Sequence, residues 1–321
     1  MGGSDMRVLV TGASGFIGRN LLLAIPPEWR VTATYHRSAD LPAFLSARGL
    51  GHVTPVRVDL AAESPGTIAD RVGAEHDAAV LLAANGDPAY SVRAPRADLA
   101  ANALSVAGVL EGVRVGRLVY FSSGAVYDGV RGEVHPGVPV QPNLPYAISK
   151  LAAEHYVRSF TRAGRVQSSV SVRFFGAYGP HEPERKIYTR LVRTFAEERR
   201  REFTIRGDGR NLIDAMYVDD AVRGLLTLLT HEAPPGSSET MDMSCGDPIS
   251  LAALVRAAAR TFGIEPDIRY EGEVPEYIEF RSTDPTMRER FGFRPEVPLA
   301  DGLRRLAAHL SAVPPAGRPG R

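Results

Sequence analysis

Tyr146 and Lys150, separated by Ala147-Ile148-Ser149, place a phenol and an ammonium one helical turn apart on one face, where both can act on the same proton. A tyrosine titrates near ~10 and exchanges protons poorly at neutral pH, but a lysine within a few ångströms stabilises the phenolate and lowers that value. Read this way, the pair is the acid/base of a hydride-transfer site. The same spacing also arises by chance on amphipathic helices, so the pair gains meaning only beside a cofactor site.

The opening of the chain supplies one. An apolar run, Arg7-Val-Leu-Val, meets Thr11-Gly12-Ala13-Ser14-Gly15-Phe16-Ile17-Gly18, and an amphipathic helix follows. Gly12 permits the tight turn out of a strand, Gly15 lets backbone N–H groups approach a pyrophosphate, and Gly18 lets the helix pack close to the sheet. The pyrophosphate is expected at the helix N-terminus, where unpaired donors and the positive end of the dipole favour an anion.

With these motifs in order, the chain resembles an extended short-chain dehydrogenase/reductase of the nucleotide-sugar epimerase, dehydratase and reductase group. The resemblance runs through Asp59-Leu60, Leu81-Leu82-Ala83-Ala84, Asn102, Val119 to Tyr127, Tyr146 to Lys150, Val172 to Pro180 and Tyr217-Val218-Asp219-Asp220. It implies dinucleotide contacts from Thr11, Gly12, Ser14, Gly15, Phe16, Ile17, Gly18, Leu82, Ala83, Ala84 and Phe174, with Tyr146 and Lys150. Asp59 would bond the adenine and Leu60 pack on it, although an Asp ending a strand is also an ordinary turn former.

The resemblance further implies that Ser123 hydrogen-bonds the reacting oxygen, with Ser122 as the nearby alternative. Ser123 and Tyr146 would straddle a carbonyl or carbinol oxygen while the nicotinamide exchanges a hydride with the attached carbon. Lys150 would also bind the nicotinamide ribose, and Asn102 would brace the site unless it faces solvent. Dehydratases of this group carry an acidic pair directly after the Ser or Thr; Gly124 and Ala125 stand there and cannot move a proton. Oxidation and reduction at one carbon remain, as net reduction of a keto group or as epimerisation.

The second strand ends Tyr35-His36-Arg37-Ser38 without the acid that an NAD-selective fold presents to the ribose hydroxyls. Arg37, with Ser38 and His36, suits a 2′-phosphate, which favours NADP(H); NAD(H) fits if Arg37 merely solvates the loop. A non-catalytic dinucleotide sensor is the remote alternative, since such proteins typically lack the Tyr–Lys pair.

Expected substrate contacts are Ser123, Gly124, Tyr146, Gly176, Lys186 and Arg190. Relatives that hold nucleoside diphosphates usually have Arg where this chain has Ile213 and Asn where it has Gly176, and a further Arg before Asp284 is not evident around residues 274–280 unless Arg281 serves. Lys186, Arg190 and Arg193 lie near one face at helical spacing and could hold phosphate, or could form a solvated basic face. Tyr178 and His181 are either sugar contacts or packing residues.

Apolar runs at Val8–Val10, Val31–Tyr35, Val53–Val58, Ala79–Leu82, Leu118–Phe121 and Val170–Phe174 alternate with helical patterns. That alternation predicts an α/β fold, a Rossmann-type doubly wound parallel sheet, with a smaller C-terminal α/β substrate lobe. Residues 1–174 form the dinucleotide domain, to which 212–232 return through a helix near Val218–Leu229. Residues 175–211 and 233–312 form the lobe, and 313–321 a disordered tail. Helices near Leu99–Val113 and Ala147–Arg162 are the pair through which the resembling family forms homodimers as a four-helix bundle, and Leu99, Leu104, Val106, Val109 and Leu110 give the first of them a broad apolar surface.

Lys plus Arg is 38 against 37 for Asp plus Glu, a balance that gives no field for nucleic acid or an anionic membrane. No metal site is expected. The single Cys245 cannot form an internal disulfide, no signal-peptide pattern is read, and no apolar stretch approaches the ~20 residues of a membrane span. A cytoplasmic enzyme with a small-molecule partner is the expectation.

Overall fold

The computed structural model describes residues 5–273 and 278–312; the tail read as disordered lies outside them. The centre is a seven-stranded, all-parallel sheet built from β1 (Arg7–Thr11), β2 (Arg30–Tyr35), β3 (Val53–Arg57), β4 (Glu75–Leu81), β5 (Arg114–Ser123), β6 (Val166–Phe174) and β7 (Ser238–Met243). Its order is β7-β6-β5-β4-β1-β2-β3, so the winding reverses between β1 and β4. The carboxyl ends at that reversal are where such a sheet leaves a crevice for a ligand.

All six apolar runs of the sequence are strands. The inner ones are buried on both faces, which is why they read as continuous rather than alternating, whereas the edge strand β3 leaves Thr54 and Arg57 exposed. One apolar layer joins the helices Phe16–Ala24 and Val218–Thr230 to the sheet; the opposite layer takes the helices Pro65–Val72, Ser105–Gly112 and Pro145–Arg162. The lobe's strands are short pairs: Glu202–Arg206 with Asp267–Glu271, Leu212–Ile213 with Ile249–Ser250, and Gly132–Val134 with Phe280–Ser282.

The sheet takes one strand that the sequence reading gave to the lobe. Residues 238–243 pair in parallel with β6 from Ser238↔Ser169 to Met243↔Phe174. Asp242 sits inside this strand at 2% exposure, and its polarity is met by hydrogen bonds from the Tyr127 hydroxyl (2.8 Å) and the Ser282 hydroxyl (2.7 Å). The helix carrying Arg190 is short: Ile187–Val192 passes into a π-helical turn, Arg193–Glu197, and Arg199 turns left-handed at φ 53°.

The helix Pro145–Arg162 is tied to the sheet by charge. Glu154 (3% exposed) receives hydrogen bonds from Arg173 Nε (3.1 Å) and Nη2 (2.9 Å) of β6 and from the Ser122 hydroxyl of β5 (2.5 Å). Both charges are out of water, so each depends on the other. Replacing Glu154 with Ala should lower the free energy of unfolding by about 3–5 kcal/mol in denaturant titration, because the Arg173 guanidinium stays buried without its partner.

Candidate functional site

Three loops meet at the carboxyl edge between β1 and β4. Gly12 has φ 66°, and a Cβ there would lie 2.7 Å from the Ala83 nitrogen; a Cβ on Gly18 would lie 2.6 Å from the Gly12 oxygen. Neither position tolerates a side chain. Thr11 is buried, and its hydroxyl oxygen accepts from the Leu82 and Ala83 nitrogens at 3.1 Å each, so it shapes the loop from beneath. The helix that follows, Phe16–Ala24, begins at Gly15 with no side-chain cap. Its first amides, with that of Ser14, fit an anion such as a pyrophosphate, while the Gly15 nitrogen donates to the Gly12 carbonyl (3.0 Å) and closes the turn.

At the end of β2, His36, Arg37 and Ser38 are all exposed. His36 Nε2 lies 3.6 Å from Asp59 Oδ2, while Asp59 also receives the Ala61 nitrogen (3.0 Å), forming the turn that an Asp at a strand end favours. Leu60 is buried beside it, and the Phe174 ring packs 4.6 Å from Phe121 at the ends of β6 and β5. Ala83 and Ala84 line the β4 side as small residues next to the glycine turn.

Tyr146 stands in the first turn of the helix Pro145–Arg162, with its backbone nitrogen bonded to the Ser91 hydroxyl (3.1 Å). Ser123, which closes β5 and whose hydroxyl accepts from the Ala125 nitrogen (3.1 Å), is the group that lowers the pKa of the Tyr146 phenol. Lys150, one turn on and 3% exposed, donates to the Phe121 carbonyl at 2.5 Å and lies 4.8 Å from the Tyr120 ring. Ser122 is committed to Glu154, which leaves Ser123 as the hydroxyl facing the phenol.

The electrostatics depart from the sequence expectation. Burial raises the Tyr146 phenol above its ordinary value, and only the Ser123 hydrogen bond pulls it back. Burial brings Lys150 down to about 8, with Glu154 and Asp98 opposing. The depression expected from Lys150 does not offset the phenol's burial; the ammonium donates to the Phe121 carbonyl instead.

Asn102 does not face solvent. It is fully buried in a π-helical turn, Ala100–Leu104, accepts from the Asn85 nitrogen (2.7 Å), and donates to Ser149 Oγ (2.8 Å) and Asp98 Oδ1 (3.0 Å). The lobe residues are more dispersed. Gly176 has Asp214 O only 2.9 Å from where a Cβ would be, so no side chain can project there, and Ile213 pairs with Ile249 in a short apolar ladder. Lys186 begins the helix Ile187–Val192 among Arg185, Glu182 and Asp87, and burial with Arg185 lowers its ammonium.

Arg190 lies over the Phe203 ring (5.3 Å), whereas Arg193 is held by Glu184 (2.7 Å) and Glu197 (3.9 Å). Tyr178 stacks on Tyr188 at 4.1 Å and is 1% exposed, and His181 is wedged between Phe44 and His309, so both are packing residues. Arg281 is engaged by Glu133 (2.6 Å). Among the described residues no group of His, Cys, Asp and Glu could hold a metal ion.

A family model described as the NAD dependent epimerase/dehydratase family matches residues 8–243. The chain belongs to this family. Within it, a dTDP-glucose 4,6-dehydratase of Streptomyces niveus is 28% identical over 316 residues, covering 93% of this chain and 90% of its own. An uncharacterized UDP-glucose epimerase of Bacillus subtilis is 24% identical over 319 residues, covering 96% and 99%. Among solved structures, MoeE5 in complex with UDP-glucose and NAD superposes with a TM-score of 0.81 at 25% identity, covering 95% of this chain and 99% of that one. RMD from Pseudomonas aeruginosa complexed with NADPH gives 0.77 at 23%, covering 96% and 100%, and shares the fold.

Sequence reasoning missed Asp98, Asn85 and Ser149, which join Asn102 in one buried network, and Glu154 beneath Lys150. The spacing held a signal: Asp98 precedes Asn102 by four, and Glu154 follows Lys150 by four, each on the inward face. One property of this family member stands out in its composition. Lys150 and Lys186 are the only lysines of the chain.

The lowered Lys150 predicts a pH dependence. The unfolded chain holds this proton up to about 10.5 and the folded one only to about 8, so between these values the unfolded state binds more protons and stability rises with pH. Below about 8 the full cost of the buried ammonium is present. Lys150→Met should therefore be most favoured over the parent at neutral pH, and the gap should narrow from pH 8 to 10.5 in paired urea titrations, by an amount on the order of 3 kcal/mol.

Proposed function

We propose that the chain is an NADP(H)-dependent oxidoreductase that reduces a keto group, at C4, of a nucleotide-activated sugar. The observation that carries it is the convergence of Ser123, at the carboxyl end of β5, with Tyr146 and Lys150 on the first turns of the helix Pro145–Arg162, Lys150 reaching the Phe121 carbonyl of the same strand end (2.5 Å). A bound nicotinamide would supply the hydride. The chain's own residues do the rest: Ser123 and Tyr146 hold the reacting oxygen from two sides, and Tyr146 delivers its phenolic proton as negative charge develops there.

Dehydration is disfavoured at the same place. A side chain on Gly124 would meet the Phe175 ring at 3.1 Å, so an acid is absent and an acid-sized side chain is crowded. Arg37 supports NADP(H) through bidentate contact with a 2′-phosphate. Lys186 and Arg190 stay as the proposed phosphate contacts of the lobe, with Arg193 already engaged by Glu184 and Glu197. The second reading, a nucleotide-sugar 4-epimerase with bound NAD(P), is favoured by the B. subtilis relative and by the UDP-glucose and NAD complex of MoeE5.

Incubation with NADPH and a panel of 4-keto nucleotide sugars should consume nicotinamide absorbance. Interconversion of sugars without net consumption would establish the epimerase instead, and no turnover of either kind with a full panel would overturn the enzymatic reading. Tyr146→Phe should cut kcat by about 10²–10⁴-fold. Arg37→Ala should raise KM for NADPH while leaving that for NADH little changed.

The homodimer belongs to this proposal as well. Leu99 (43%), Leu104 (51%), Ile148 (47%) and Tyr156 (45%) are exposed on the two helical segments expected to form a bundle, whereas Val106, Val109 and Leu110 are consumed by the core. Leu104→Glu should convert a dimer to a monomer in sedimentation velocity, because a carboxylate cannot be buried against a second apolar copy.

A further inference from the structure

Asp98 is the one carboxylate of the site's inner shell that no cation touches. It is fully buried; Oδ1 accepts from Asn85 Nδ2 (2.7 Å) and Asn102 Nδ2 (3.0 Å), and Oδ2 accepts from the Ser149 hydroxyl (2.7 Å). All three donors are neutral. Ser149 lies next to Lys150 in the chain, and its hydroxyl is also within 2.9 Å of the Tyr146 carbonyl, so the network grips the turn that carries both groups.

Two carboxylates favour the Lys150 ammonium, Glu154 first and Asp98 second, and they differ in their own partners. Glu154, on the same helix, is paired with the Arg173 guanidinium at 2.9 Å, whereas Asp98 meets only neutral donors. Tyr120, from β5, is fully buried and held well above its ordinary value, hence uncharged. Tyr146 is likewise protonated at neutral pH. Asp98 acts on both members of the pair, favouring the ammonium of Lys150 and the neutral phenol of Tyr146. In a medium of low dielectric, an unmatched charge reaches further than a matched one.

We propose that Asp98 is a positioning residue: a buried anion, fixed by Asn85, Asn102 and Ser149, that keeps Lys150 an ammonium under Tyr146 and so keeps Tyr146 a proton donor. The proposal rests on the acid/base reading of Tyr146 and Lys150 above. It separates two jobs of the network, because the hydrogen bonds hold the helix turn while the charge sets the protonation of its lysine.

With only two lysines, ε-¹³C-lysine labelling yields two resonances, and Lys186→Arg assigns them. The Lys150 signal should titrate near 8 in the parent and about one unit lower in Asp98→Asn. Asp98→Ser, which keeps a hydroxyl toward Asn102, should read the same. Ser149→Ala removes a hydrogen bond and no charge, so it should reduce kcat while leaving the Lys150 midpoint in place. The alkaline limb of kcat/KM for keto reduction should move down with the lysine in the two Asp98 variants only. An unmoved Lys150 midpoint in Asp98→Asn and Asp98→Ser, or an equal shift in Ser149→Ala, would overturn the proposal. A shifted lysine in a protein that turns over no nicotinamide-dependent substrate would instead sink the enzymatic reading and leave the role of Asp98 standing.

Discussion

A helix that turns ionisable groups toward a core must find each of them a partner, and the architecture around Pro145–Arg162 follows from that constraint. Ser149, Lys150 and Glu154 all point inward and are almost wholly buried. Their partners come from different parts of the chain: Asp98 and Asn102 from the helix segment before β5, the Phe121 carbonyl and Ser122 from β5, and Arg173 from β6. An isolated buried charge costs several kcal/mol, so losing any of these partners would press the helix away from the sheet. The phenol of Tyr146 gains its fixed place against Ser123 as a by-product of this anchoring.

The same constraint extends to the lobe. Arg173 lies 4.9 Å from the Tyr127 ring, Tyr127 donates to Asp242 of β7, and Asp242 is also held by Ser282, next to the short strand pair that joins Gly132–Val134 to Phe280–Ser282. Burial lifts the Asp242 carboxyl to about 6 despite these two donors. A polar line therefore runs from the helix Pro145–Arg162 through two sheet strands to the strand pair of Gly132–Val134 and Phe280–Ser282, so these elements share one set of supports.

What was legible in the sequence was whatever depends on local pattern. The glycine turn follows from steric need and the inner apolar strands from burial on both faces, and Tyr146 with Lys150 follows from helical spacing. β7 escaped because Ser238-Glu-Thr-Met-Asp-Met243 has no apolar run; its buried Asp242 is satisfied by tertiary partners, Tyr127 and Ser282. Asp98 escaped for the same reason, since a carboxylate on a helix reads as a solvated one until Asn85, Asn102 and Ser149 are brought to it. The expected lowering of the phenol's pKa was misjudged because spacing tells nothing about how much water the fold removes.

The lysine content of the chain bears on why the proposed acid/base pair takes this form. Almost all of its basic residues are arginine, so a lysine at 150 is a departure from the chain's own habit. A guanidinium is always charged and presents a planar fork of five donors, which a single carbonyl such as Phe121 O cannot satisfy in a buried site. An ammonium is compact enough to sit between that carbonyl and the Tyr120 ring, and it can release its proton near neutrality when buried. Those two properties, small size and a movable proton, are what a group must have to tune a phenol from underneath, and arginine has neither.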